Sequence, residues 1–228
     1  MKETRPPMTA LGDFLRGLGE APRLPGRFNP WGDVCPVHDL TEDAAGRRLE
    51  RLRGFLPAAA RLLLVGEAPG YQGCRYSGIP FTSERLLCAG DIPRLPAMPR
   101  VTNRGTPWSE PSATVVWETL RALGLAETTV LWNAFPFHPH APGRVLSNRR
   151  PTREEIREGL DHLVLLLGAY PEARLVAVGQ VAREALRQAG ACCEAIRHPA
   201  YGGKPEFVAG LRRLACSAMD VEIPVVRN

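Results

Sequence analysis

RLLLVGEAPGYQGCRYSGIPFTSE, residues 61–84, decides how the fold is read. Leu62 to Val65 is a short continuous apolar run that stops at Gly66, and a stretch rich in Gly and Pro follows until Thr82 or Ser83 offers a helix start. A buried parallel strand that ends in a glycine-rich turn is where open α/β sheets hold ligands, just beyond the strand's carboxyl end. Glu67 to Phe81 are therefore the first candidates for the rim of a functional site.

Working outward, the pattern repeats. Thr128 to Asn133 (TTVLWN), Leu175 to Gly179 (LVAVG) and Ala195 to Arg197 read as further strands. Helical spacing fills the gaps: from Thr41 with Leu49, Leu52 and Leu56 on one face; Glu84 to Ala89; Ser112 to Leu123, stopped by Gly124; Val181 to Ala189; and Pro205 to about Ser217. Thr152 and Glu155 form a capping box that opens a helix running to about Ala169. Strands alternating with helices predict an α/β protein, a three-layer α/β/α sandwich with a mostly parallel sheet of about four strands. Residues 1–40 read as an irregular N-terminal arm holding one short amphipathic piece, Leu11 to Leu18, with Asn29-Pro30-Trp31 packed under a loop or beside a site. Residues 41–228 read as a single domain, and 91–107 and 135–150 as long loops.

Lys and Arg number 29 against 24 Asp and Glu, so the formal charge is +5, which permits a nucleic-acid partner without requiring one. The six cysteines form no CxxC, so reduced thiols and a cytoplasmic location are expected. No run of about 18 apolar residues occurs, and no membrane-spanning helix is expected.

Glu67, Phe81, Asn133 and His198 fall at or just beyond strand ends, and in a parallel sheet those ends share one edge. Each also has a plainer reading. Gly66 to Gly70 can be only a tight turn, with Glu67 solvated on it. Phe81 can be a core anchor, Asn133 a loop cap, and His198 an exposed loop histidine. His138, His140 and His198 lack a recognised zinc spacing, and no metal is expected.

In order, GEAPG at 66–70, GIPFTSE at 78–84, the strand ending in Asn133, NRRPTREEI at 148–156 and HPAYGG at 198–203 resemble the motifs of the uracil-DNA glycosylase superfamily. The likeness is to its bacterial and archaeal iron–sulfur branch, from which this chain departs. It has only Cys35 near the N-terminus, His138 about where a third ligand would fall, and no cysteine between Arg153 and Ala169. With fewer than four thiolates at those ligand positions no cluster is expected, and the expected cofactor set is empty. Ala200 and Tyr201 replace the Ser and apolar wedge of the relatives' loop.

The resemblance implies hydrolysis of an N-glycosidic bond in DNA, at uracil or a related deaminated base, after the base is flipped from the stack. It implies stacking of the base on Phe81 and reading of its edge by the Asn133 amide. Gly66 and Ala68 would line the base site, His198 would donate to the uracil O2, and Glu67 would handle the attacking water. Tyr201 would fill the gap left in the duplex, while Lys204 and Arg149, with Arg144 and Arg150, would touch DNA. The expected partner is DNA, met by a monomer. A hypoxanthine or xanthine glycosylase, or a non-catalytic DNA-binding relative, stays open at this point.

Overall fold

A computed structural model describes residues 7–219. In chain order the elements are α1 (Pro7–Glu20), β1 (Arg27–Phe28), α2 (Ala44–Phe55), β2 (Leu62–Gly66), α3 (Cys74–Ser77), α4 (Glu84–Cys88), α5 (Pro111–Ala122), β3 (Thr129–Asn133), β4 (His138–Pro139), α6 (Arg153–Ala169), β5 (Arg174–Val178), α7 (Gln180–Gln188), β6 (Glu194–Ile196) and α8 (Lys204–Met219). The sheet has four parallel strands in the order β3-β2-β5-β6. β2 is one of its two interior strands and every residue of it is buried, which is why it reads as an unbroken apolar run. The chain moves from β2 outward to β3 and then back past β2 to β5 and β6. Right-handed crossovers then put α5 on one face and α6 and α7 on the other, the α/β/α sandwich expected. The reversal lies at β2, and the crevice at such a switch point is where ligands bind.

The capping box on α6 is present in both directions, Glu155 N–H to the Thr152 hydroxyl and Thr152 N–H to the Glu155 carboxylate. Helix α2 begins at Ala44 rather than at Thr41 and has no side-chain cap.

The irregular arm is a correction. The amphipathic piece extends to a 14-residue helix, α1, because Ala10, Phe14 and Leu18 repeat at four-residue spacing and bury together with Leu15 in the main core. Phe14 meets Trp132 of β3 edge-on at 4.8 Å, and Trp31 stacks on the same indole at 5.6 Å. Trp31 is thus core, and its indole N–H donates to the Gly78 carbonyl. The Asn29 amide donates to the Leu18 carbonyl at the end of α1. Strand β1 pairs antiparallel with β4, which ties these residues to the loop after β3. Among residues 7–219 no helix is long and apolar enough to cross a membrane.

Candidate active site

Parallel register sets the site. Gly66 pairs with Asn133 across β2 and β3, and Ala134 N–H donates to the Gly66 carbonyl at 2.8 Å, so Glu67 and Asn133 leave the sheet side by side. Beyond these strand ends lies a cleft of about 440 Å³, lined by Glu67, Ala68, Phe81, Asn133, His198 and Tyr201 among others. Its size falls in the range of small-molecule sites, about 300–1,000 Å³.

Phe81 is buried and has φ +51°, a conformation that bulky side chains rarely adopt and that costs on the order of 1–3 kcal/mol. The ring packs closely against Gly66. A methyl group there would stand 2.7 Å from Phe81 Cε2 and 2.9 Å from Asn133 Oδ1. Gly66 is required for this close approach, whatever its turn does. The ring is 6.0 Å from that of His198.

Asn133 is 3% exposed, and its side-chain amide makes no hydrogen bond among the described residues. A buried amide normally spends both its donors and its acceptor on protein. This one caps no loop and keeps its hydrogen-bonding edge for the cleft.

His198 is half-buried, and both burial and the neighbouring Arg197 charge push its pKa down, so the imidazole is neutral at pH 7. Ala200 N–H donates to Nδ1 at 3.1 Å, which leaves the proton on Nε2. The ring therefore offers an N–H donor without a formal charge. The Glu67 carboxyl is pushed up by burial, against a pull downward from Arg150. Tyr201 is fully exposed on the cleft rim, with φ +51°.

Of the residues expected to touch DNA, Arg149 is occupied otherwise and Lys204 lies outside the cleft. The Arg149 guanidinium reaches into the cleft wall but makes two bonds to Glu155, at 2.6 and 2.7 Å, and further bonds to the Gly26 and His140 carbonyls. It ties the N-terminal residues to the loop before α6. Lys204 stands outside the cleft at the start of α8, 3.6 Å from Glu118.

Glu110 is a cleft residue that sequence reading missed. It precedes Pro111 at the start of α5, and its carboxyl fills the space left open by Gly70 and Gly73; a methyl group on Gly70 would stand 2.8 Å from Oε1. Burial pushes its pKa up to about 7, with a hydrogen bond from Ser112 pulling the other way. Its only signal in the chain is an acidic residue after a long loop, and the two glycines that make room for it are 40 and 37 positions away. Asn148 and Gln180 join the lining as well.

The residues nearest the cluster-ligand positions do not fit an iron–sulfur group. Cys35 and His138 both bond the buried Arg75 guanidinium, Nη2 to Sγ at 3.8 Å and Nη1 to Nδ1 at 2.8 Å, so a permanent cation stands between them. Nδ1 must accept from Arg75, so His138 Nε2 carries the proton and donates to the Ser147 carbonyl at 2.9 Å; its pKa is pushed down to about 3 by burial and by Arg75. Arg75 also lies 3.8 Å over the Phe28 ring. Among the described residues no group of three or more His, Cys, Asp or Glu could hold a metal ion.

Comparison with known proteins agrees with this architecture. No curated protein matches the chain. Among solved structures, the crystal structure of WT Pedobacter heparinus SMUG2 superposes with a TM-score of 0.65 at 16% identity, over 93% of this chain and 99% of that one, a likeness of fold. The family model of the uracil DNA glycosylase superfamily matches residues 53–214, which takes in β2, the glycine loop, Asn133 and the His198 loop. The chain belongs to the uracil DNA glycosylase superfamily, whose members are glycosylases that hydrolyse N-glycosyl bonds and act on DNA.

Proposed function

We propose that this protein removes uracil, or a closely related deaminated base, from DNA by hydrolysis of the N-glycosidic bond. The observation that carries the reading is the unspent Asn133 amide, buried beside the Phe81 ring in the cleft that Glu67 and His198 also line. A flipped base needs a stacking face and a hydrogen-bonding edge, and Phe81 and Asn133 supply one each. An amide that presents Nδ2 to O4 and Oδ1 to N3–H matches the edge of uracil, and cytosine, whose exocyclic amine reverses the pattern, mismatches that presentation.

Cleavage builds positive charge on the sugar and negative charge on the leaving base. The neutral His198 donates from Nε2 to the base O2 as that charge grows, an interaction worth about 3 kcal/mol in comparable sites. Glu67, ionised, orients the attacking water, takes its proton and stabilises the sugar cation. A carboxyl whose pKa is raised by burial is a stronger base than a solvated one. Gly66 and Ala68 line the base, and the exposed Tyr201 ring enters the gap in the duplex.

A second reading, a deaminated purine such as hypoxanthine or xanthine, is favoured by Glu110. A carboxyl near neutrality in the cleft can donate to a ring carbonyl and accept from the adjacent ring N–H at once. Oligonucleotides carrying uracil, hypoxanthine or xanthine, single-stranded and in duplexes, separate the readings by which one yields abasic sites. Release of uracil, lost in Glu67→Ala and Asn133→Ala, is expected. DNA binding without release of any base would leave a non-catalytic relative and overturn both readings.

A further inference from the structure

We propose that the groove between α6 and α7 binds the phosphodiester backbone of the DNA strand continuing from the base in the cleft, through Arg150, Arg153 and Arg157. The inference rests on the base-removal reading above and adds where the flanking strand runs.

The groove has a volume of about 860 Å³, with Arg150, Arg153 and Arg157 on the α6 side and Gln180, Glu184 and Gln188 on the α7 side. It adjoins the cleft, since Gln180 lines both. A strand whose base enters the cleft and whose backbone passes Gln180 enters this groove.

Its charge suits a polyanion. Arg153 and Arg157 are one turn apart on the same face of α6, and all three arginines are exposed with no ion pair among the described residues. Arg149, the residue next to them, is spent on Glu155. Glu154 feels Arg153 and Arg157 through space and forms no ion pair with either. Glu184 is the acid on the opposite wall, and it is held by Arg187 at 2.7 and 2.9 Å and by Gln188 at 2.8 Å. The guanidinium groups are thus left for a ligand with many acceptor oxygens, which a row of phosphates supplies.

The placement is poor for the helix itself. Arg153, a cation in the first turn, opposes the helix dipole, and it repels Arg157 four residues on. Removing Arg153 and Arg157 should therefore leave the melting temperature unchanged or raise it, so a loss of binding is not a loss of fold. Arg150 is left in place because it acts on Glu67.

The test uses fluorescence anisotropy with single strands carrying a tetrahydrofuran abasic analogue, which is independent of the preferred base. The analogue sits in strands of about 5 nucleotides, or in strands lengthened to about 15 on one side only, over a range of salt. Wild type is expected to gain affinity when one of the two flanks is lengthened. Arg153→Gln/Arg157→Gln should lose about tenfold on that long strand and little on the short one. Its slope of log affinity against log salt should fall by about 1.4, the value for two contacts on a single strand, and Arg153→Lys/Arg157→Lys should restore most of the loss. A wild type indifferent to flank length, or a variant that matches it or weakens equally on long and short strands, overturns the groove. A wild type that binds none of these strands and releases no base fails the proposed function as well, which tells the two failures apart.

Discussion

Gly66, Phe81 and Asn133 hold one another in place, and Glu67 leaves the sheet from the middle of that arrangement. Gly66→Ala forces its methyl group into Phe81 and the Asn133 amide, so the ring must leave its place. A cost of about 1–3 kcal/mol, typical of overpacking, with a loss of base release larger than the loss of stability explains, is the expected result in denaturant melts and single-turnover assays. Glu67→Gln separates chemistry from structure. Removal of a general base lowers the rate by about 100- to 10,000-fold. Because burial raises the Glu67 pKa, its ionised form costs stability at neutral pH, and the amide should melt higher than wild type while binding DNA as tightly. A variant that loses activity and melts lower would mean that Glu67 holds the fold rather than the water.

The elements of the sheet were legible because each carries a local signal: β2 and β3 as apolar runs closed by Gly66 and Asn133, α6 by its capping box, α8 by Phe207, Leu211 and Leu214. Those strand tips also made Glu67, Phe81, Asn133 and His198 legible as one group, since parallel strands share an edge. What escaped has no periodicity to read. Strands β1 and β4 have two residues each, α3 is a single turn inside the glycine loop, and Glu110 reaches the cleft only by packing against Gly70 and Gly73. Helix α1 did carry a signal, at Ala10, Phe14 and Leu18, but the prolines after it drew the reading toward an irregular arm. Its packing on Trp132, the residue before Asn133, makes it part of the wall behind the site. Phe14→Ala should cost about 3–5 kcal/mol, the usual range for a buried aromatic. Deletion of an irregular arm would cost almost nothing, and a denaturant melt distinguishes the two.

At the scale of the whole molecule, buried titratable groups pull stability in opposite directions with pH. His138, held neutral with a pKa near 3, binds fewer protons folded than unfolded, so its contribution is present above about pH 6.5 and is lost as pH falls toward 3. Burial lowers His162 and His198 in the same sense. Glu110 acts the other way. Its folded pKa of about 7 lies above the ordinary 4.5, so the folded protein holds a proton that the unfolded chain releases, and stability falls as pH rises from 4.5 through 7. Glu67 adds to that fall. The balance predicts maximal stability on the acid side of neutrality. Glu110→Gln removes the carboxyl that is shifted further and should move the maximum upward in pH. The gain at pH 8 is at most about 3 kcal/mol, the free-energy equivalent of the shift from 4.5 to about 7, and at pH 4 it should vanish. Urea melts of both proteins from pH 4 to 8 measure this directly. Parallel stability curves across that range would mean that Glu110 ionises as a solvated carboxyl, and would remove the support it lends to the purine reading.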